Sequence, residues 1–291
     1  MSEHIKDGAF SLLIVGVTAA VLSGGWLLAP WAAEQPRPQT IRGRDGMVMV
    51  LIPAGEFIMG CPDGEPDERP PHKVWVDAFY LDEHEVTNAQ FLRFVGETNY
   101  KTEAERKGQA YIWDYGWKLV QGANWRHPEG PDSSIEGRMD HPVVHLSWAD
   151  AQAYARHYGK QLPTEAQWEY AARGGRGWRY AYGNEYDPTK ANVNTEGTRP
   201  VKSYPPNPFG LYDMTGNVWE WCRDWYAPDY YQHSPQRNPP GPKEGKWHVC
   251  RGGSWASNAV SSRTTSRNVD EPQFGNFSVV GFRCCLPAEG R

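Results

Sequence analysis

Residues 210 to 221, GLYDMTGNVWEW, concentrate more chemistry than any other stretch of the chain. Two acids, Asp213 and Glu220, stand on either side of a Gly216-Asn217 turn signal. Calcium takes carboxylate and backbone carbonyl oxygens in flexible geometry, so an acid before the turn, an acid after it and the turn's own carbonyls form a candidate site. Trp219 and Trp221, two positions apart, place their rings on one face of a strand. The plainer alternative is that Asp213 is a turn acid and Glu220 a salt-bridge partner in a tryptophan-lined core.

The other groups capable of chemistry form no complete set. Cys61, Cys222, Cys250, Cys284 and Cys285 contain no CxxC pair with a second pair or histidine spacing, which argues against structural zinc. Five thiols outside the cytoplasm allow one or two disulfides with one left over, and Cys284 and Cys285 are expected on opposite sides of a strand. None of the nine histidines forms an i, i+4 pair or a compact triad, and His72 and His141 read as hydrogen-bonded structural groups beside proline. Glu65, Asp67 and Glu68 in CPDGEPDERPP read as a solvated acidic rim. Glu165 and Glu169, four apart, read as helix acids paired with arginine. No nucleophile-elbow motif is present.

Three helices carry their own start signals. Thr87-Asn88-Ala89-Gln90, Ser147-Trp148-Ala149-Asp150 and Thr164-Glu165-Ala166-Gln167 read as capping boxes, with Gly159 and Gly174-Gly175 as stops. MVMVLIPAGEFIMG and HKVWVDAFYLDEHEV read as strands, with Val74, Val76 and Tyr80 on alternate positions. From about residue 176 onward the chain predicts turns and short strands. Fourteen Trp, fifteen Tyr, thirty Gly and twenty-four Pro imply many turns stapled by flat side chains, hence an irregular α+β class. A net charge of −5 with scattered basic residues argues against a nucleic-acid partner.

The N-terminus differs from everything after it. Ala9 to Ala33 contains no charged residue and is long enough to cross a bilayer as a helix. The leader MSEHIKDG is not clearly positive and no small-x-small cleavage site follows, so an uncleaved single-pass anchor is expected. Arg37, Arg42 and Arg44 follow the segment and weigh toward a cytoplasmic placement, weakly. The expected layout is a tail over 1–8, a transmembrane helix over 9–33, a linker over 34–46, a domain over 47–286 and a tail over 287–291.

Five separated motifs, IPAGEFIMGCPDGEPDERPPHKVWVDAFYLDEHEVTNAQF, HPVVHLSWADAQAYARHYGKQLPTEAQWEYAARGG, NPFGLYDMTGNVWEWCRDWY, CRGGSW and GFRC, occur in this order. Together they closely resemble the formylglycine-generating enzyme (sulfatase-modifying factor) family. The resemblance implies an irregular α+β fold related to C-type lectins, with bound calcium held through positions falling here on Asp213, Gly216, Val218 and Glu220. It implies a second calcium site at Asn192 and Val193, whose following loop here is shorter and lacks the expected acid. The family's oxidases bind copper(I) through two cysteines after the Gly-Gly-Ser motif, and the corresponding positions here are Ser257 and Ser262. Copper(I) selects sulfur over a hard hydroxyl, so no copper is expected. Ser254 matches the family's Gly-Gly-Ser serine, and Trp255 beside it is a candidate binding residue or a core residue. Sulfoxide synthases in the family hold iron with histidines from an added helical domain, for which residues before 47 offer no room. The expectation is a membrane-anchored, extracytoplasmic, non-catalytic binding, assembly or accessory subunit of a membrane complex, on the inner membrane with its domain in the periplasm. The alternative is a metal-dependent oxidoreductase acting on a peptide or cofactor precursor.

Overall fold

The computed structural model describes residues 38–270 and 277–288. The expected transmembrane segment lies outside them, and no helix among the described residues is long and apolar enough to cross a membrane. The chain opens with β1 (Thr40–Arg42), β2 (Val48–Ile52) and β3 (Gly55–Met59), followed by a 3-10 turn at Pro66–Glu68, β4 (His72–Val76) and β5 (Phe79–Asp82). Two helices, α1 (Asn88–Thr98) and α2 (Glu103–Lys107), lead to a hairpin of β6 (Gln109–Trp113) and β7 (Trp117–Gln121). After α3 (Trp148–His157) and α4 (Glu165–Ala172) come β8 (Trp219–Trp225), β9 (His248–Arg251), β10 (Arg267–Asp270), β11 (Val280–Gly281) and β12 (Cys285–Pro287).

One sheet has the order β1-β2-β5-β12 and a second β10-β9-β8-β11, while β3-β4 and β6-β7 stand as separate hairpins. The period-2 geometry of a strand divides the first sheet between two cores. Met49 and Tyr80 face one core with Phe91, Tyr154, Trp219 and Trp221. Val50 and Leu81 face the other with Val74, Val76 and Trp168. Cys250 and Cys284 enter the first core and Cys222 and Cys285 the second, so adjacent Cys284 and Cys285 do point to opposite sides. All five cysteines are free thiols.

The helix starts follow from side-chain capping. Thr87, Ser147 and Thr164 each accept the amide of the third helical residue, and Gln90, Asp150 and Gln167 reach back to the cap. The same box at Thr102 and Glu105 starts α2, a helix the hydrophobic pattern did not reveal because it is too short to show a period.

The linker expected over 34–46 is partly domain. Thr40–Arg42 pairs antiparallel with Val48–Val50. Asp45 is buried, accepting Lys160 Nζ at 2.6 Å and the Tyr154 hydroxyl at 2.9 Å. Polar composition alone suggested a linker, but one of its charges, Asp45, is neutralised inside the fold by Lys160.

Candidate functional site

The turn at 213 to 220 is built from left-handed backbone, with φ of +58° at Asp213, +83° at Gly216 and +63° at Asn217. A Cβ on Gly216 would fall 2.4 Å from the Asn192 carbonyl oxygen, so only glycine fits there. The fold therefore brings the two calcium candidates together. Asn217 N donates to Asn192 O at 2.9 Å, and the Asn192 side-chain amide donates to Asn217 Oδ1 at 3.0 Å. Asn192 Oδ1 accepts the Thr195 hydroxyl at 2.7 Å, which occupies the side chain expected to open the second site.

Glu220 is fully buried at the start of β8. Arg283 donates to it in a two-point fork, Nε to Oε2 at 2.7 Å and Nη2 to Oε1 at 2.8 Å, and Trp168 Nε1 adds a third bond at 2.8 Å. The tryptophan-lined salt bridge foreseen as the plainer alternative is thus present. Asp213, also buried, accepts Lys202 N at 2.7 Å; burial nonetheless raises its pKa to about 6.

The structure adds a third acid that sequence reasoning missed. Glu85 is fully buried, no amide, hydroxyl or cationic donor among the described residues satisfies its carboxylate, and its polar contact is a side-chain hydrogen bond with the Asp213 carboxyl, which requires a shared proton. Burial first, then the charge of Asp213, pushes its pKa well above the usual carboxylate range. Three buried acids, Glu85, Asp213 and Glu220, share the single guanidinium of Arg283. An unsatisfied buried carboxylate is costly, and such a group takes a proton or a cation. Among the described residues no three acidic, histidine or cysteine side chains form a ready metal cage, so a bound cation would also need backbone carbonyls. Oxygen-only donors of this kind are those calcium takes, and Glu85, Asp213 and the turn carbonyls are the groups that would hold it in place of the proton the two acids share.

The Gly-Gly-Ser turn follows β9 directly and is bonded to the 213–220 turn, Gly216 N donating to Gly252 O at 2.8 Å, with φ of +101° at Gly252 and +77° at Gly253. Ser257 Oγ accepts the Ser254 amide at 3.0 Å and lies 3.1 Å from Ser254 Oγ. Ser262 is fully buried, its hydroxyl donating to Asn258 O at 2.9 Å, and a Cβ on Gly253 would fall 2.4 Å from Ser262 Oγ. The loop after it is pinned by buried ion pairs. Arg263 donates to both oxygens of Glu68, at 2.6 and 3.0 Å, and Arg267 donates to Glu165 at 2.7 and 3.1 Å. Arg251 pairs with Glu169 in the same layer. Glu68 is therefore a core anchor, and its reading as part of a solvated rim is corrected: it meets Arg263 from the far end of the sequence, while Asp67 is half-buried 3.8 Å from Arg267 and Glu65 is exposed as expected. Glu165 and Glu169 do pair with arginine, but mostly across the fold.

A cavity of about 510 Å³ opens beside this turn, lined by Asn88, Trp113, Arg138, His141, Glu196 and Trp255 among others. A second of about 240 Å³ shares Trp113, Asp114, Glu196 and Trp255 with it. Trp255 is buried against the first core, donates its ring N–H to Ser278 O at 3.2 Å, and walls both cavities, so it is core and lining at once. Ser254, Ser257 and Ser262 line neither cavity. The β6-β7 hairpin overhangs the space, with Trp117 against Trp113 and Phe277 and Tyr115 exposed at the tip. His141 contacts Thr198 through Nδ1 at 2.9 Å and His72 contacts Pro70 O at 3.0 Å, both in hydrogen-bonded roles. Burial pushes the thiols of Cys222, Cys250 and Cys284 well up and that of Cys285 to about 12, so none is poised as a thiolate.

Short sheets, capping-box helices and a Gly-Gly-Ser turn over buried ion pairs define a sulfatase-modifying-factor domain. The chain belongs to the sulfatase-modifying factor enzyme 1-like domain family, whose model matches residues 34–288. It is 42% identical to the formylglycine-generating enzyme of Streptomyces coelicolor, over 90% of this chain and 96% of that one. It is 36% identical to the mouse protein named inactive C-alpha-formylglycine-generating enzyme 2, over 91% of this chain and 95% of that one. Among solved structures it is similar to PvdO from Pseudomonas aeruginosa, with a TM-score of 0.69 and 29% identity over 86% of this chain and 99% of that one.

Proposed function

We propose that this protein is a membrane-anchored, extracytoplasmic binding or assembly module that keeps the family scaffold but not its oxidase centre. The observation that carries this reading is the state of Ser257 and Ser262. Both stand where copper-binding thiols are expected, and both hydroxyls are committed to the loop's own hydrogen bonds. A hydroxyl is a poor ligand for copper(I), and the buried cysteines nearest the turn, Cys250 and Cys222, sit in different cores, which argues against a sulfur pair in place of the lost one.

The cavity walled by Trp255 and the β6-β7 hairpin supports the binding role. It is large enough for several side chains, aromatic on one wall and rimmed by Asp114, Glu129 and Glu196. Its proposed occupant is a peptide or loop of a partner protein, presented at the membrane by a complex of which this chain is an accessory subunit. Calcium, held by Glu85, Asp213 and the turn carbonyls, is the proposed structural ion. The apolar segment 9–33 is the proposed anchor in the inner membrane, with the domain on the periplasmic side.

The test is purification in mild detergent followed by identification of what remains bound. A defined membrane partner, lost on substitution of the exposed cavity residue Tyr115→Ala while the melting temperature holds, supports the module. A chain that purifies alone and oxidises a cysteine peptide overturns it. The second reading, a metal-dependent oxidoreductase, is favoured by the 42% identity to a formylglycine-generating enzyme.

A further inference from the structure

The sequence places arginines after the apolar segment, and the fold gathers them with another from far along the chain. Arg42 and Arg44 are exposed at either side of the turn that enters the domain. The Arg44 guanidinium lies about 4.0 Å from where a Cβ on Gly159 would stand, at the end of α3, and Gly159 N bonds Arg156 O in that same turn. Arg156 is exposed too. Arg42 spends one N–H on the Gly46 carbonyl, and none of the three has a carboxylate partner among the described residues.

The acids nearest this face are already committed. Asp45 and Asp82 both hold the buried ammonium of Lys160, at 2.6 and 2.7 Å. Glu97 takes Arg93 at 2.7 Å and His157 at 2.9 Å. Among the described residues, three guanidinium groups therefore stand without a carboxylate partner around the start of the domain. The tether is short. The apolar run ends at Ala33 and β1 begins at Thr40, and residues 34 to 39 reach no more than about 20 Å even fully extended.

We propose that the face carrying Arg42, Arg44 and Arg156 rests on anionic phospholipid headgroups. The inference builds on the anchor reading above and goes past it: the bilayer is not only where the chain is tied but a surface the domain recognises by charge. Guanidinium forks suit phosphate oxygens, and basic residues close to an anionic surface are attracted within a screening length of it.

The experiment uses the full chain in nanodiscs of phosphatidylcholine alone or with phosphatidylglycerol, read by amide hydrogen exchange over 40–46 and 156–160. With phosphatidylglycerol, exchange there slows by about ten-fold or more, and raised salt reverses it. The triple variant Arg42→Gln, Arg44→Gln, Arg156→Gln incorporates normally, melts as the native protein does and shows no such slowing. Equal exchange in both lipids, with the chain incorporated, overturns the proposal and leaves the anchor standing. A chain that stays out of every nanodisc overturns the anchor reading and this proposal with it.

Discussion

The Ser257 hydroxyl oxygen lies 3.1 Å from that of Ser254 and accepts the Ser254 amide at 3.0 Å. The position where a copper-binding thiol is expected has become a turn-closing hydroxyl, which stabilises the loop while removing its soft ligand. Restoring sulfur should restore the metal. Ser257→Cys with Ser262→Cys is expected to bind close to one equivalent of copper(I), where the native protein binds none, as read by competition with a chromogenic chelator. Because Ser262 is fully buried, the larger sulfur at 262 is expected to cost about 1–3 kcal/mol of stability.

Glu85 separates a calcium site from a bare acidic cluster. Saturating calcium at 100 times its dissociation constant stabilises a folded protein by about 2.7 kcal/mol, or roughly 5–10 °C for a domain of this size. Thermal melting with and without chelator is expected to show that shift, and Glu85→Gln to abolish it. Without calcium, Glu85→Gln is expected to melt no lower than the native chain, since it removes a buried acid crowded against the charge of Asp213. A melting temperature indifferent to calcium and chelator contradicts the site.

The Glu220–Arg283 pair predicts a large and asymmetric effect. Arg283→Met strands Glu220 in the core, with an expected loss of about 3–5 kcal/mol in denaturant unfolding. Adding Glu220→Gln to that variant is expected to recover part of the loss, because the stranded charge is gone while the Trp168 bond keeps an oxygen acceptor.

His248 predicts the acid limb of stability. Its ring lies between those of Trp148 and Trp225, with centroids 3.9 and 3.8 Å away. Nδ1–H donates to Asp224 O at 3.0 Å, and Nε2 is buried without a partner among the described residues. Burial holds its pKa down at about 4. A histidine depressed in the folded state stabilises fully above its unfolded pKa of about 6.5, and that contribution is lost as pH falls toward 4, at most about 3 kcal/mol. Urea midpoints should fall across pH 6.5 to 4, and His248→Phe should flatten that slope.

The sequence made much of this fold legible where local chemistry decides the structure. The capping boxes at Thr87, Ser147 and Thr164, the left-handed glycines at 159 and 174, and the opposed Cys284 and Cys285 all follow from residues within a few positions of one another. What stayed hidden depends on partners brought from afar. Glu68 meets Arg263 and Glu220 meets Arg283 across long stretches of chain, and neither pairing leaves a periodic signal. Glu85 reads as an ordinary acid two residues before a helix cap; only the fold reveals that it is buried beside Asp213. The cavity leaves no sequence signal because its walls come from seven separate stretches of chain, to which the Gly-Gly-Ser region contributes only Trp255.

The account stands or falls on whether the protein performs oxygen-dependent cysteine oxidation. Purified full-length protein, incubated with one equivalent of copper(I), oxygen and a cysteine-containing peptide, is the direct measurement, with copper retention, oxygen uptake and peptide mass read together. Loss of copper on desalting, oxygen uptake at the level of the protein-free control and an unchanged peptide are predicted. Retained copper at one equivalent, with the peptide cysteine converted to formylglycine, would contradict the central claim that Ser257 and Ser262 have removed the reaction centre.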